Sequence, residues 1–396
     1  MLIKTYNNQN IKLNLDYTRG NLFALPALID PHVHFRTPGA EHKENWITGA
    51  QAALAGGVTT VFDMPNNTPS TISTSALQHK INLIDYQLKE AGILLRYKLW
   101  FGATPNNLGE IEKLQEYKDQ ICGIKIFMGS STGNLLVNKK EDQAKIFEQA
   151  ARLDLVVAVH AESESKIQDS RSKISNPKIQ DHSIVRSREA AAEATNQAIE
   201  LAKQFGTKLY ILHVSTKEEI EIISQAKRQG IQMYAEVTPH HLFLDESAYD
   251  KLGTKAQMNP PLRTTEDRKA LWQAIDDGTI DTIGTDHAPH TLEEKALTYP
   301  NSPSGVPGIE TSLPLLLDAH NKGKISLEKI VQLTRKNIEK IFKLEPNNDW
   351  VIVDLNMEKE VRDEDLKTKC GWSPFEGWEL KGWPVAVILQ GKLFHI

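Results

Sequence analysis

Two histidines stand two positions apart in the segment Ala24-Leu-Pro-Ala-Leu-Ile-Asp-Pro-His32-Val-His34-Phe-Arg36. The apolar run Leu25–Ile29 reads as a buried strand that delivers both at its end. Residues two apart on a strand share a face and can hold one ion. Imidazole is the commonest metal ligand, and Arg36, again two further on, adds a fixed cationic fork on that face. The chemistry implied is a metal site with an anion receptor beside it. The bland alternative is an edge strand carrying two solvated histidines.

Other metal-capable side chains follow other apolar runs: His160, His213 and Asp286, with Asn66 after the second run and His290 shortly after Asp286. Lys125 sits between Ile124 and Ile126 and shares a strand face with Phe127. A surface lysine would snorkel to water. A buried one loses its charge to desolvation and becomes a nucleophilic amine. Such an amine can add to carbon dioxide, giving a carbamate with two anionic oxygens able to bridge two ions. The inventory then fits a binuclear centre. His32, His34 and Asp286 serve one ion, His160 and His213 the other, and Lys125 bridges. Nitrogen and oxygen donors without thiolate suit two zinc ions, with manganese or cobalt as alternatives.

Elements must bring these positions together. Apolar runs fall at Leu25–Ile29, Val58–Phe62, Leu95–Phe101, Gly123–Phe127, Leu155–Val159, Lys208–Leu212, Ile231–Val237 and Thr282–Gly284. Helical patterns lie between them, at Glu44–Ala55, Ser75–Ala91, Glu141–Leu153, Arg188–Phe205, Lys217–Gln229 and Thr265–Ile275. Alternating βα units predict a parallel sheet, and eight strands predict closure into a (β/α)8 TIM-type barrel over residues 25–344. Functional groups of such a barrel gather just after the strands, where the candidates fall. Glu310–Leu317 and Leu327–Leu344 read as further helices. Short strands at Trp350–Asp354 and Val385–Ile396, within residues 345–396, together with residues near Leu2–Leu15, within residues 1–24, predict a small β appendage.

The composition excludes several classes. The chain has 396 residues, 24% of them charged, a net charge of −5 and no dense basic stripe, which argues against a nucleic-acid partner. No apolar stretch is long enough to span a bilayer, and the first twenty residues lack a signal-peptide core. Cys122 and Cys370 form no C-x-x-C pair. The expectation is a soluble, cytoplasmic protein acting on a small molecule, with a homodimer as the open option for assembly.

Several motifs carry a family resemblance: His32-Val-His34-Phe-Arg36, Met64-Pro-Asn66, Gly123-Ile-Lys125-Ile-Phe-Met-Gly-Ser-Ser-Thr132-Gly133, Val159-His160-Ala-Glu162, Leu212-His213-Val-Ser215, Met258-Asn259-Pro-Pro-Leu-Arg263, Thr285-Asp286-His287-Ala-Pro-His290 and Cys370-Gly-Trp-Ser-Pro-Phe-Glu-Gly377. In this order they resemble the lysine-bearing dihydroorotases of the amidohydrolase superfamily over nearly the whole chain. The resemblance implies a (β/α)8 barrel with two zinc ions bridged by carboxylated Lys125. It also implies reversible interconversion of dihydroorotate and N-carbamoyl-aspartate in pyrimidine biosynthesis. Two ions acidify a shared water, and Asp286 would carry its proton to the departing ring nitrogen. Arg36 offers the ring carboxylate a bidentate partner; by resemblance Asn66 and His290 complete that receptor, and Asn259 lies near the ring. Ala27, Thr37 and the order Asn67-Thr68 depart from the family pattern, and the segment before the first strand is short.

Other residues read as structural. His240 and His241 suggest packing or support of ligands, His42, His182 and His320 surface or helix positions, and His287 the shaping of its loop. Glu162 and Asp63 read as orienting neighbours, and Trp372, Trp378 and Trp383 as packing of the C-terminal segment on the barrel. Gly129–Lys140 and His290–Gly308 are candidate lids. Two other readings compete: a dihydropyrimidinase, hydantoinase or allantoinase, whose substrates lack the ring carboxylate, and a non-catalytic relative, which a missing ligand would betray.

Overall fold

Eight short strands rich in Val, Ile and Phe, buried on both faces, form a parallel sheet, as expected when helices cover the outside. The computed structural model describes residues 2–7, 9–12, 20–131 and 133–396. Thr132 and the 13–15 part of the N-terminal stretch lie outside the described residues. In order around the barrel the strands are Leu28–Val33, Val58–Asp63, Arg96–Gly102, Ile121–Phe127, Val156–His160, Lys208–Ile211, Met233–Val237 and Thr282–Ile283. Each pairs with its sequence neighbour, so Lys125 lies opposite Ala158 and Phe127 opposite His160. The register therefore puts Lys125 and His160 near the same rim.

The seam between the eighth and first strands is closed by other means. A bridge joins Val33 to His287, with His34 N donating to His287 O at 2.8 Å. Below it, the buried Asp30 carboxylate accepts from the amides of His32 (3.1 Å) and Thr285 (3.0 Å) and from the Thr285 hydroxyl. A side chain here replaces ladder bonds. The outer helices begin and end where local chemistry dictates. Thr216 and Glu219 form a capping box at Lys217–Arg228, and Gly206, at φ 70°, closes Arg188–Phe205.

The apolar run expected as one first strand is split. Leu22–Pro26 belongs to a second sheet, antiparallel to Trp350–Glu360 with Leu25 opposite Val351, and the barrel starts at Leu28. A run buried in both sheets keeps one hydrophobic pattern, so the switch leaves no periodic mark. The second sheet continues through Glu379–Leu389 and Lys392–His395 on one side and Leu2–Thr5 and Asn10–Lys12 on the other. It is the β appendage, made from both ends of the chain. The expected helix Leu327–Leu344 is interrupted by a π-helical stretch, Gln332–Lys336, from which Arg335 reaches Ala27 O at 2.8 Å. Trp372 is buried and donates to His290 O at 2.7 Å, pinning the C-terminal segment to the barrel rim.

Candidate metal centre

Strand ends deliver the histidines to one buried chamber. Asp286 Oδ1 receives His32 Nε2 at 3.1 Å and His34 Nε2 at 3.0 Å. Two ligand atoms sharing a tetrahedral zinc ion stand about 3.3 Å apart, so this spacing is that of a ligand shell. His32 is held from behind by Glu236 Oε1 at 2.7 Å, and Glu236 is steadied by the Tyr210 hydroxyl at 3.0 Å. Gly284 makes room, since a Cβ there would come within 2.4 Å of Glu236 Oε2. Burial opposes charge on His32, yet Asp286 and Glu236 push it up to about 9. Burial likewise opposes charge on Asp286, but His32 and His34 hold it well below the usual carboxylate range. Two carboxylates thus demand a cation between them. A proton on His32 meets that demand, and a divalent ion would displace it.

The second half lies across the chamber. His160 Nδ1 and His213 Nε2 face each other at 3.1 Å, and the His213 ring centroid is 5.5 Å from that of His32. Burial lowers both imidazoles, reinforced by the Lys125 charge, so both offer lone pairs. Lys125 is 1% exposed, with Nζ 4.5 Å from the Phe127 ring centroid and no hydrogen-bond partner among the described residues. Burial pulls its amine down to about 7 against the attraction of Asp286 and Glu236. A large neutral fraction at physiological pH is what carbamate formation needs. The spacing of His32, His34 and Asp286 fits one divalent cation, and His160, His213 and Lys125 line the chamber beside it.

The residues expected to receive an anion adjoin the first half. Arg36, 6% exposed, donates through Nε to Pro289 O at 3.0 Å, and its Nη2 lies 3.2 Å from His290 Nε2. Asn66 Oδ1 accepts from His34 Nδ1 at 2.8 Å, tying that loop to the His34 ring. Asn259 stands apart: among the described residues its buried Oδ1 has no hydrogen-bond partner, and it makes no polar contact with the cluster.

Comparisons place this constellation. The amidohydrolase family model matches residues 23–394. The chain belongs to the amidohydrolase family. It is 36% identical to a dihydroorotase from Halobacterium salinarum over 96% of this chain and 87% of that protein. It is 39% identical to one from Methanosarcina mazei, over 91% and 80%. Among solved structures, an L-hydantoinase (dihydropyrimidinase) from Arthrobacter aurescens aligns with TM-score 0.89 at 28% identity, over 94% of this chain and 85% of that one.

Within this amidohydrolase centre several residues went unflagged by their sequence. Glu236 hides in a strand that reads as ordinary alternation. Buried Arg186 binds Glu162 Oε2 at 2.9 and 2.5 Å and Ser130 O at 2.7 Å, while Glu162 lies 2.9 Å from His160 Nε2. Lys43 touches His290 Nδ1 at 3.1 Å. His182, expected at a surface or helix position, opens the short helix His182–Val185 and is buried, bonded to Met258 O at 2.9 Å. His241 is locked between Thr238 and Pro260 O, and His287 Nδ1 accepts from Gly308 N, both structural roles. The segment from His290 to Gly308 is stapled by buried Lys295, which donates to the carbonyls of Gln257, Pro303 and Gly305.

Proposed function

We propose that this amidohydrolase is a dihydroorotase, which reversibly converts (S)-dihydroorotate to N-carbamoyl-L-aspartate in pyrimidine biosynthesis. The observation that carries the reading is the buried Arg36 guanidinium, beside His290 and on the same strand end as His34. A cyclic amide bearing a carboxylate places its anion on that fork and its amide over the metal ligands.

His32, His34 and Asp286 would hold one ion and His160 and His213 the other, with carboxylated Lys125 as the bridge. Two zinc ions are proposed, manganese or cobalt serving as substitutes. When bound, they acidify water and polarise a carbonyl oxygen. Asp286 moves the proton: its carboxylate takes it from the attacking water and delivers it to the leaving ring nitrogen. In ring closure Asp286 removes a proton from the carbamoyl nitrogen. Arg36 with Asn66 and His290 orients the carboxylate, and Asn259 borders the ring. The barrel from Leu28 onward supplies the chemistry; Leu2–Thr5, Asn10–Lys12 and Leu22–Pro26, with the strands Trp350–Glu360, Glu379–Leu389 and Lys392–His395, form the appendage. A cytoplasmic setting belongs to the same proposal, since both cysteines are free thiols.

Arg36→Ala tests this. The KM for dihydroorotate is expected to rise on the order of 100-fold, the cost of losing a buried charge-assisted partner, with metal content unchanged. An unchanged KM would remove the receptor from the account. A hydantoinase or dihydropyrimidinase reading is favoured by the backbone likeness to the Arthrobacter aurescens enzyme. Turnover of dihydrouracil in preference to dihydroorotate would select it. A non-catalytic relative would lack a ligand, and this chain retains the full set.

A further inference from the structure

Three backbone carbonyls converge on one buried ammonium. Lys295, 1% exposed, ends the short helix Leu292–Lys295 and donates from Nζ to Gln257 O (3.0 Å), Pro303 O (2.9 Å) and Gly305 O (3.1 Å). An ammonium has three N–H donors, and all three are used. Among the described residues no carboxylate pairs with it, so its charge is met by carbonyl dipoles, with the Trp372 ring centroid 5.8 Å from Nζ. Carbonyl oxygens gathered out of water repel one another and want a cation in their midst, as rings of them in ion filters do. These three belong to two segments. Gln257 precedes Asn259 in the stretch after the seventh strand, while Pro303 and Gly305 lie in the stretch after the eighth. Gly305 N donates to Gln257 O at 2.9 Å, and Ala288 N to Val306 O at 2.9 Å, which carries the contact back to the end of the eighth strand. Gly305, at φ 140°, is required there, since a Cβ would fall 2.6 Å from Ala288 O.

We propose that Lys295 is a positioning residue whose ammonium is the built-in cation of a carbonyl cradle, holding the segment after the eighth strand against the stretch that carries Asn259. The segment His290–Gly308 is then a fixed wall of the chamber, packed around its own lysine, and not a lid. A neutral side chain of the same length would leave three converging carbonyls buried without a donor, and the two segments would part. Two residues share the task unequally. Gln257 Nε2 reaches Ser302 O at 2.7 Å, a neutral tie between the same segments, whereas Lys295 supplies the charge that lets Gln257, Pro303 and Gly305 turn their oxygens to one point. The inference goes beyond the dihydroorotase reading, which supplies only the turnover by which one arm of the test is read.

The experiment compares wild type, Lys295→Met and Lys295→Ala in the zinc-loaded enzyme, measuring kcat/KM for dihydroorotate, zinc content and hydrogen exchange at the Ala288 and Gly305 amides. Lys295→Met keeps the bulk and loses the charge. It is expected to lower kcat/KM about 100-fold, the effect of stripping buried groups of a charged partner, and to speed exchange at both amides with zinc content unchanged. Lys295→Ala removes the atoms of a propylammonium ion. Added propylammonium chloride is expected to restore turnover and protection in that variant, and propanol, of similar size but uncharged, to restore neither. Wild-type turnover and protection in Lys295→Met, or equal rescue by propanol, overturns the inference. If wild type does not turn over dihydroorotate while exchange follows the expected pattern, the dihydroorotase reading falls and the cradle stands.

Discussion

Three residues of the site hold left-handed backbones: Arg36 at φ 60°, His213 at φ 40° and Asp286 at φ 46°. Such non-glycine conformations cost of order 1–3 kcal/mol each and persist where surrounding structure over-determines them. Here the strain aims a guanidinium, an imidazole and a carboxylate into one chamber. Glu236→Gln keeps the size of the group behind His32 but removes its charge, and should weaken binding of the first ion about 10–100-fold in a chelator competition. Unaltered affinity would reduce Glu236 to packing. Lys125→Ala should abolish turnover, and undiminished activity would contradict its bridging role. At this scale spacing was a good guide. His32, His34 and Arg36 advertise a shared face, and Lys125 between two isoleucines advertises burial. Glu236, Arg186 and Lys43 send no such signal, because their partners His32, Glu162 and His290 lie 204, 24 and 247 positions away.

Elements decide where those residues meet. The strand order was readable from the βα alternation, since a parallel sheet needs a crossover after each strand. The switch of Leu22–Pro26 into the appendage was not, because both sheets bury the same apolar run. Nor did the pattern reveal how the appendage couples to the rim. Glu310 accepts from the amides of Lys367 and Thr368, and Glu44 binds Thr368 and Lys369, clamping that segment beside His287. Burial raises Glu310 to about 7 against those amides, above the ordinary glutamate value of 4.5. The folded state then holds the extra proton. This stabilising contribution is complete below about pH 4.5 and is lost as pH rises through about 7. In Glu310→Gln that part of the slope in melting temperature between pH 5 and 7.5 should vanish; an identical slope would assign it elsewhere.

The whole molecule is a ring of strands whose ends share one cluster: the proposed ligands come from the first, fourth, fifth, sixth and eighth strands or the turns that follow them. Ions bound there would tie distant parts of the chain together and bind the folded state alone. Zinc should therefore raise the melting temperature by an amount that grows with its concentration, as mass action requires. The rise should be smaller in Lys125→Ala, and a shift independent of zinc would mean that the cluster is not its site. Barrel architecture and family could be read from the chain because many weak motifs recur in one order. The central claim is narrower, namely that His32, His34, Lys125, His160, His213 and Asp286 surround two ions. An anomalous-scattering map of zinc-loaded crystals measures this directly. Two peaks are expected, one among His32, His34 and Asp286 and one at His160 and His213, with added density on Lys125 Nζ reaching both. A single peak, or an unmodified Lys125 touching neither, would contradict it.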